Sequence, residues 1–454
     1  MTRKILYVYA PAGPPLDYCF PKIAARGQVL TYIVSPPSAS NLEIIRRHSE
    51  RVVDLTDLRP AAALEVVRRD AQALKPDAIF TFSEFLLKAV SEIACELGLR
   101  GVGPNIELGR NKAAMRQRWH EAGVPQPEFR PIGSPEDLAR VSELRFPVLV
   151  KLAYGAGSIA QQIVRAPREL DGAIARLLAA TDAARRAGKH EFCELTGFPQ
   201  LIAEEIIEST TESWYDEDGY GDYLSVEGLV RGGVYHPLAM TGRLRTIPPF
   251  TELGNVAPCV LSDEKKQRIV TLIATAVNAL QFEHCATHTE IKLMADGRVA
   301  FLETAARMGG VAIARELDAV FGIDYVDLFL GVILGEHERI PGFEQNPPRC
   351  AAASVALMAC DSVGTPWATQ RSFEPAVVDW PALVGGRAEV QVQMAQSIGV
   401  GSAVPPYDIS GGLLNYAGQA FLVSARPADL KSAAYQLLDG LERQLPPLSQ
   451  LQAA

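Results

Sequence analysis

The sequence predicts a multidomain protein of mixed class, α/β at its N-terminus and α+β beyond, and three observations carry that expectation. Apolar strands alternate with helical stretches over residues 4–97, the pattern of a parallel sheet with helices on its faces. An Asp296-Gly297 pair separates two strands of alternating hydrophobicity, the strongest short-range hairpin signal because both turn positions can adopt positive φ. From about Pro341 prolines, small residues and strand-like segments dominate, which predicts a separate β-rich C-terminal domain.

At 454 residues the chain exceeds the size at which single cores divide. A net charge of −9 argues against nucleic acid as a partner, since a phosphate backbone recruits clustered Lys and Arg; cationic or zwitterionic small substrates remain open. The seven cysteines are scattered without C-x-x-C spacing, as in buried thiols of a reducing compartment. The N-terminus lacks the long apolar region of a signal peptide and no apolar run is long enough to span a bilayer. A cytoplasmic protein with no membrane partner is expected.

In chain order, residues 4–10, 29–34, 52–55 and 77–82 read as strands, and 61–74 and 85–97 as helices. The first loop, Pro11-Ala12-Gly13-Pro14-Pro15, has neither G-x-G-x-x-G nor a Walker lysine, which argues against a dinucleotide site. Glu84 follows the last of these strands, where such sheets contact ligands; a helix N-terminal charge explains it equally. Residues 111–122 read as a helix ended by Gly123 and Pro125, with Lys112 in its first turn against the helix dipole.

Residues 146–164 form strand, glycine loop and strand, with Lys151 ending the first strand and Gly155, Gly157 and Ser158 in the loop. Backbone N–H groups of such a loop can approach phosphate oxygens closely, although a plain turn has the same composition. A charged helix over 167–188 precedes the strand 201–208, which carries Glu204, Glu205, Ile206 and Ile207. The acidic, aromatic segment 209–222 reads as a mobile loop. A hairpin turns at Arg231-Gly232-Gly233, and Arg243 and Arg245 in the connection beyond could clamp a carboxylate or lie on the surface. Helices are expected over 263–280, 316–334 and 428–444, and C-terminal strands over 351–358, 388–393 and 412–425.

If Ala295 and Arg298 close the turn, Glu290 faces Glu303 across the hairpin. Like charges so placed repel, and a divalent metal between them would turn the repulsion to advantage. Lys292 shares the face of Glu290, and Arg307 follows Glu303. A solvated hairpin face of mixed charge accounts for the same residues.

Taken in order, Lys112, Lys151 with its glycine loop, Glu204-Glu205, the stretch SVEGLV at 225–230, Glu290, Glu303 and Arg307 resemble the ATP-grasp superfamily from Lys4 to about Gly335. The tail from Pro341 resembles the C-terminal domain of the branch that joins amino acids into dipeptides, the L-amino acid ligases. The resemblance implies five segments: an N-terminal α/β domain (1–105), a linker helix (106–145), a small lobe (146–207), a large lobe (208–340) and a C-terminal domain (341–454). It assigns Lys112 and Lys151 to ATP phosphates, Tyr154, Gly155, Gly157 and Ser158 to a lid, and Glu204, Glu205, Ile206 and Ile207 to the adenine hinge. Glu290 and Glu303 would hold Mg²⁺, two ions being expected and Mn²⁺ the alternative metal. Arg307, with Lys292, forms the expected catalytic pair, and Glu84, Arg243, Arg245, Glu252 and Gly309 are the expected substrate contacts.

Two positions depart from the family. Ala305 stands where its pattern E-x-N-x-R has a metal-binding asparagine, and the hairpin register puts His288 opposite, in the vacated space. Tyr223 stands where a ribose-binding glutamate is usual, leaving Asp222 or Glu208 to substitute. The implied activity is ATP-dependent amide formation between a carboxylate and an amine, amino acids on both sides, through an acyl phosphate, with a homodimer as one open assembly. The rivals are a carboxylase-like or purine-pathway acceptor on the same fold, and a nucleotide-binding protein without turnover.

Overall fold

The computed structural model describes residues 2–157, 160–186 and 199–448. Ser158, one of the seven cysteines (Cys193) and the end of the helix expected over 167–188 lie outside them. Strands β1 (Lys4–Tyr9), β2 (Gln28–Ile33), β3 (Arg51–Asp54) and β4 (Ala78–Phe80) form a parallel sheet in the order β3-β2-β1-β4. Along β1 the residues alternate between two cores: Ile5, Tyr7 and Tyr9 enter one, and Leu6 and Val8 the other. Both faces are therefore covered, as a parallel sheet requires. Strand order reverses between β1 and β4 while the strands stay parallel, and ligands bind in such sheets at that switch point. The proline loop after β1 and Glu84 after β4 both open there.

Strands β5 (Phe129–Ile132), β6 (Val148–Leu152), β7 (Gln162–Val164) and β8 (Leu201–Glu205) make a small antiparallel sheet, order β5-β8-β6-β7, over its own apolar cluster. The remaining strands are β9 (Tyr223–Arg231), β10 (Val234–Arg243), β11 (Gly254–Ala257), β12 (His284–Leu293), β13 (Val299–Ala305), β14 (Ala351–Leu357), β15 (Glu389–Val392) and β16 (Gly418–Ser424). They form one sheet, order β13-β12-β9-β10-β11-β14-β16-β15. The C-terminal strands thus extend the central sheet through the β11–β14 pairing, and their separateness lies in a distinct apolar cluster under the last helix, Pro427–Gln444.

Glu290 does face Glu303, and His288 faces Ala305, but by another route than a two-residue turn. The turn holds three residues, Ala295–Gly297, with Asp296 and Gly297 at φ 56° and 70°. Leu293 accordingly pairs with Val299, and a bulge next to Glu290 leaves Leu302 unpaired and restores the register.

Three other expectations are corrected. The helix expected over 316–334 is two, Ile313–Phe321 and Tyr325–Leu334, because Gly322 takes a left-handed conformation and Asp324 caps the second. The segment 209–222 is anchored: Trp214 is buried with its indole N–H donating to the Met294 carbonyl at 2.7 Å, and Tyr220 is buried near Lys431. Among the described cysteines Cys95 is exposed and Cys350 half-buried, while Cys19, Cys259, Cys285 and Cys360 are buried. No helix among the described residues is long and apolar enough to cross a membrane.

The helix Tyr325–Leu334 is pinned to the sheet through one hydroxyl. Tyr325 Oη accepts from Thr287 N–H at 3.2 Å and lies 2.8 Å from the Gly228 carbonyl and 2.9 Å from that of Thr287, in full burial. Tyr325→Phe should therefore cost about 1–3 kcal/mol by leaving these groups unpaired, read as a lowered urea midpoint at unchanged slope.

Candidate active site

A cleft of about 1180 Å³ opens where the three sheets meet. Its walls include the proline loop and Glu84 from the N-terminal sheet, Lys151, the glycine loop and 204–207 from the small sheet, and Glu290, Glu303 and Arg307 from the large one. A concave site lined by a few convergent polar groups is where a ligand is expected.

The helix Lys112–Glu121 supplies the cations that join these walls. Asn111 caps it, accepting from the N–H groups of Ala113 and Ala114, and this sets Lys112 in the first turn at the cleft. Lys112 Nζ donates to the Gly155 carbonyl at 2.7 Å and lies 2.8 Å from Glu303 Oε2. One turn on, Arg116 is wholly buried, with Nε 2.7 Å from Glu204 Oε1 and Nη1 2.7 Å from the Phe301 carbonyl. Lys151 Nζ meets the other Glu204 oxygen at 2.6 Å. Burial alone would raise the Glu204 pKa, but Arg116 and Lys151 outweigh it and hold the carboxyl at about 2. Burial, with Arg116 and Lys112 nearby, keeps Lys151 below the usual lysine value. Three cations surround two carboxylates, leaving positive charge for a phosphate.

Across the cleft, Glu84 pairs with both Arg110 and Arg307. Burial opposes its ionisation, yet the arginines bring its pKa to about 2. Arg307 also donates to the Met308 carbonyl at 2.7 Å, so its guanidinium is held at the cleft wall. Glu290 lies 3.2 Å from His288 Nε2 and 3.7 Å from Arg243 Nη2. His288 Nδ1 lies 2.6 Å from Glu227, a fully buried carboxylate. Burial disfavours the imidazolium, but Glu227 and Glu290 raise its pKa to about 9. Lys292 pairs with Asp222 at 2.7 Å, and Arg243 stacks 5.0 Å from the Tyr223 ring centroid.

Among the described residues no group of three or more His, Cys, Asp and Glu side chains is arranged to hold a metal. Glu290 and Glu303 alone face each other, which fits Mg²⁺, an ion commonly held by one or two carboxylates with phosphate oxygens and water completing its shell.

Of the residues singled out in the sequence, Glu84, Lys112, Lys151, Gly155, Gly157, Glu204, Glu205, Ile206, Ile207, Arg243, Glu252, Glu290, Lys292, Glu303 and Arg307 line this one cleft. Three take other positions. The Tyr154 hydroxyl donates to Glu107, Arg245 projects from the fold near Asp218, and Gly309 donates its N–H to Glu227 at 3.2 Å. Asp222 lines the cleft, whereas Glu208 is exposed beside Arg145. Sequence reading passed over Arg110, Arg116 and Asn255. Arg116 left a signal: it shares the buried face of its helix with Met115 and Trp119, where a surface arginine has no place.

No family model matches the chain. The alanine–anticapsin ligase of Bacillus subtilis is 29% identical over 394 residues, 79% of this chain and 80% of the relative. The L-amino acid ligase from Bacillus licheniformis superposes with a TM-score of 0.73 at 23% identity over 98% of both chains. The biotin carboxylase domain of 2-oxoglutarate carboxylase from Hydrogenobacter thermophilus, solved with MgADP, gives a TM-score of 0.65 at 16% identity, covering 100% of this chain and 98% of that one. The fold is the ATP-grasp fold. The relatives in sequence and in structure thus include ligases of amino acids.

The Glu204 cluster gives a pH prediction. Its folded-state pKa of about 2 lies below the ordinary 4.5, so its contribution is complete above pH 4.5 and is lost as pH falls toward 2. The amount is of the order of 3 kcal/mol. Urea titrations from pH 5 to pH 3 should show a falling midpoint in the wild type. Glu204→Gln should be weaker at pH 7, with Lys151 and Arg116 left unpaired, and fall less steeply.

Proposed function

We propose that the protein joins a carboxylate to an amine at the expense of ATP, releasing ADP and phosphate, with amino acids as both partners. The observation that carries this reading is the opposed pair Glu290 and Glu303, with Lys112, Arg243 and Arg307 around it, in a cleft that runs from the glycine loop to the N-terminal sheet. An oxygen of the substrate carboxylate attacks the γ-phosphorus of ATP, the bond to the β-phosphate oxygen breaks, and ADP leaves behind an acyl phosphate. The amine nitrogen then attacks the carbonyl carbon, phosphate departs, and the nitrogen gives up a proton.

Such chemistry needs positioning and charge rather than a covalent nucleophile on the protein. Lys151 and Lys112 take the phosphates, with residues 205–207 against the base and Asp222 at the ribose. Arg307, steadied by Glu84, faces the carboxylate that becomes the acyl phosphate. Glu290 and Glu303 would hold Mg²⁺, which would supply charge neutralisation at the phosphates. The glycine loop, bonded at Gly155 to Lys112, is the part of the small lobe that keeps water from the intermediate.

Nucleotide product analysis with ATP, Mg²⁺ and pairs of amino acids should show ADP and phosphate only when both partners are present, with a condensed product by mass. AMP and pyrophosphate would overturn the reading. Glu303→Gln should lower turnover by at least about 10²-fold with little change in thermal unfolding. If His288 serves in place of the asparagine missing at Ala305, His288→Ala will alter the Mg²⁺ concentration needed for half-maximal rate; an unchanged requirement removes that role.

A further inference from the structure

A polar row continues across the large sheet beyond the residues used above. Lys292 faces Tyr223, Arg243 stacks on Tyr223, and Arg243 pairs across the ladder with Asn255, which pairs in turn with Ser354. Asn255 lines the cleft. Adjacent strands lie about 4.8 Å apart, so Asn255 stands one strand beyond Arg243, whose guanidinium is 3.7 Å from Glu290.

Behind Asn255 its orientation is determined. The helix Ile313–Phe321 carries Glu316, which has no solvent exposure. Ser354 Oγ donates to Glu316 Oε1 at 2.6 Å. Having spent its one proton there, the hydroxyl can only accept from Asn255, and Asn255 Nδ2 donates to it at 3.2 Å. The Asn255 carbonyl oxygen is thereby turned away from Ser354, and it has no hydrogen-bond partner among the described residues. Glu316 Oε2 is buried without a partner, and burial pushes the carboxyl to about 7. A buried group in this state has a cost, and fold stability alone does not explain why it is placed behind the cleft.

On the reading of the site as an amide-forming ligase, we propose that Asn255 offers its carbonyl oxygen to the attacking amine, and that Ser354 and Glu316 are positioning residues that hold it so. The acceptor suits an amine and repels a carboxylate or phosphate. It is also neutral. A carboxylate at this place would hold the nitrogen as ammonium, which has no lone pair for attack, whereas an amide oxygen orients an N–H without fixing the charge.

The test is steady-state kinetics with amine, carboxylate and ATP varied separately. Ser354→Ala should raise KM for the amine roughly tenfold and leave KM for ATP and for the carboxylate within about twofold. Asn255→Ala should do the same, and the double variant should be no worse than either, since both remove one contact. Glu316→Gln, whose amide oxygen still accepts from Ser354, should keep the amine KM near the wild-type value. An unchanged amine KM in Asn255→Ala, or a parallel rise in all three KM values, overturns the assignment. Absence of any amide product from the wild type would instead refute the parent reading, so the two failures are distinguishable.

Discussion

One helical turn separates Lys112 from Arg116, and the relation of the two lobes depends on that turn. Lys112 joins the glycine loop of the small lobe to Glu303 of the large sheet, and Arg116 joins Glu204 on β8 to the Phe301 carbonyl on β13. Each cation thus bridges both lobes from a single rigid element. Buried charges of this kind cost several kcal/mol per ion unless paired and hydrogen-bonded, so the lobes cannot separate at Arg116 without exposing or orphaning Glu204. Lobe placement and site electrostatics are one interaction here, and a change to either cation acts on both.

The cleft carboxylates are mostly neutralised within the protein: Glu84 by two arginines, Glu204 by Arg116 and Lys151, Glu290 by His288 and Arg243, and Glu303 by Lys112. For the proposed reaction this means that a triphosphate enters by exchange of partners. Lys112 would turn from Glu303 to a phosphate while Glu303 turns to the metal, so that a cation already in place meets part of the incoming charge. An exchange of this sort spares the desolvation of the protein's own cations at the moment of binding, since they are already withdrawn from water. Glu252 differs: burial and the neighbouring Glu290 raise its pKa.

What could be read from the sequence was local. The register that brings Glu290 to Glu303 followed from the Asp296-Gly297 signal, although the real turn has one more residue and a bulge at Leu302 repairs the count. Two errors cancelled, because the pressure to place both glutamates on one face acts on the strand and not on the turn. The ordered resemblance to the ATP-grasp superfamily, rather than any residue alone, drew together Lys112, Lys151, Glu290, Glu303 and Arg307, which line one cleft. The failures are tertiary. Nothing in the local pattern of 209–222 says that Trp214 is buried against Met294 and Lys265, and nothing around Asn255 says that a helix some sixty positions later lays a buried glutamate behind it. Arg116 lies between these cases, since its helix face marks it as buried but not its partner.

The departure at Ala305 is clearest in the company it keeps. Residues directly opposed on antiparallel strands have Cβ atoms about 5 Å apart, so a small side chain at 305 leaves room for the His288 imidazole across the ladder. That imidazole requires an acceptor, and Glu227, two residues from Ser225 on the next strand, supplies it while also receiving Ser225 Oγ at 3.1 Å and Gly309 N–H at 3.2 Å. Gly309 must in turn lack a side chain, because a Cβ there would lie 2.8 Å from His288 Nδ1 and 3.1 Å from Glu227 Oε2. Four positions therefore form one interlocking unit, and an asparagine restored at 305 alone would meet an imidazole already held on both nitrogens. In place of an asparagine this unit sets a histidine beside Glu290, held between Glu227 and Glu290, and two carboxylates with phosphate oxygens and water would suffice for Mg²⁺ whether or not the imidazole joins them.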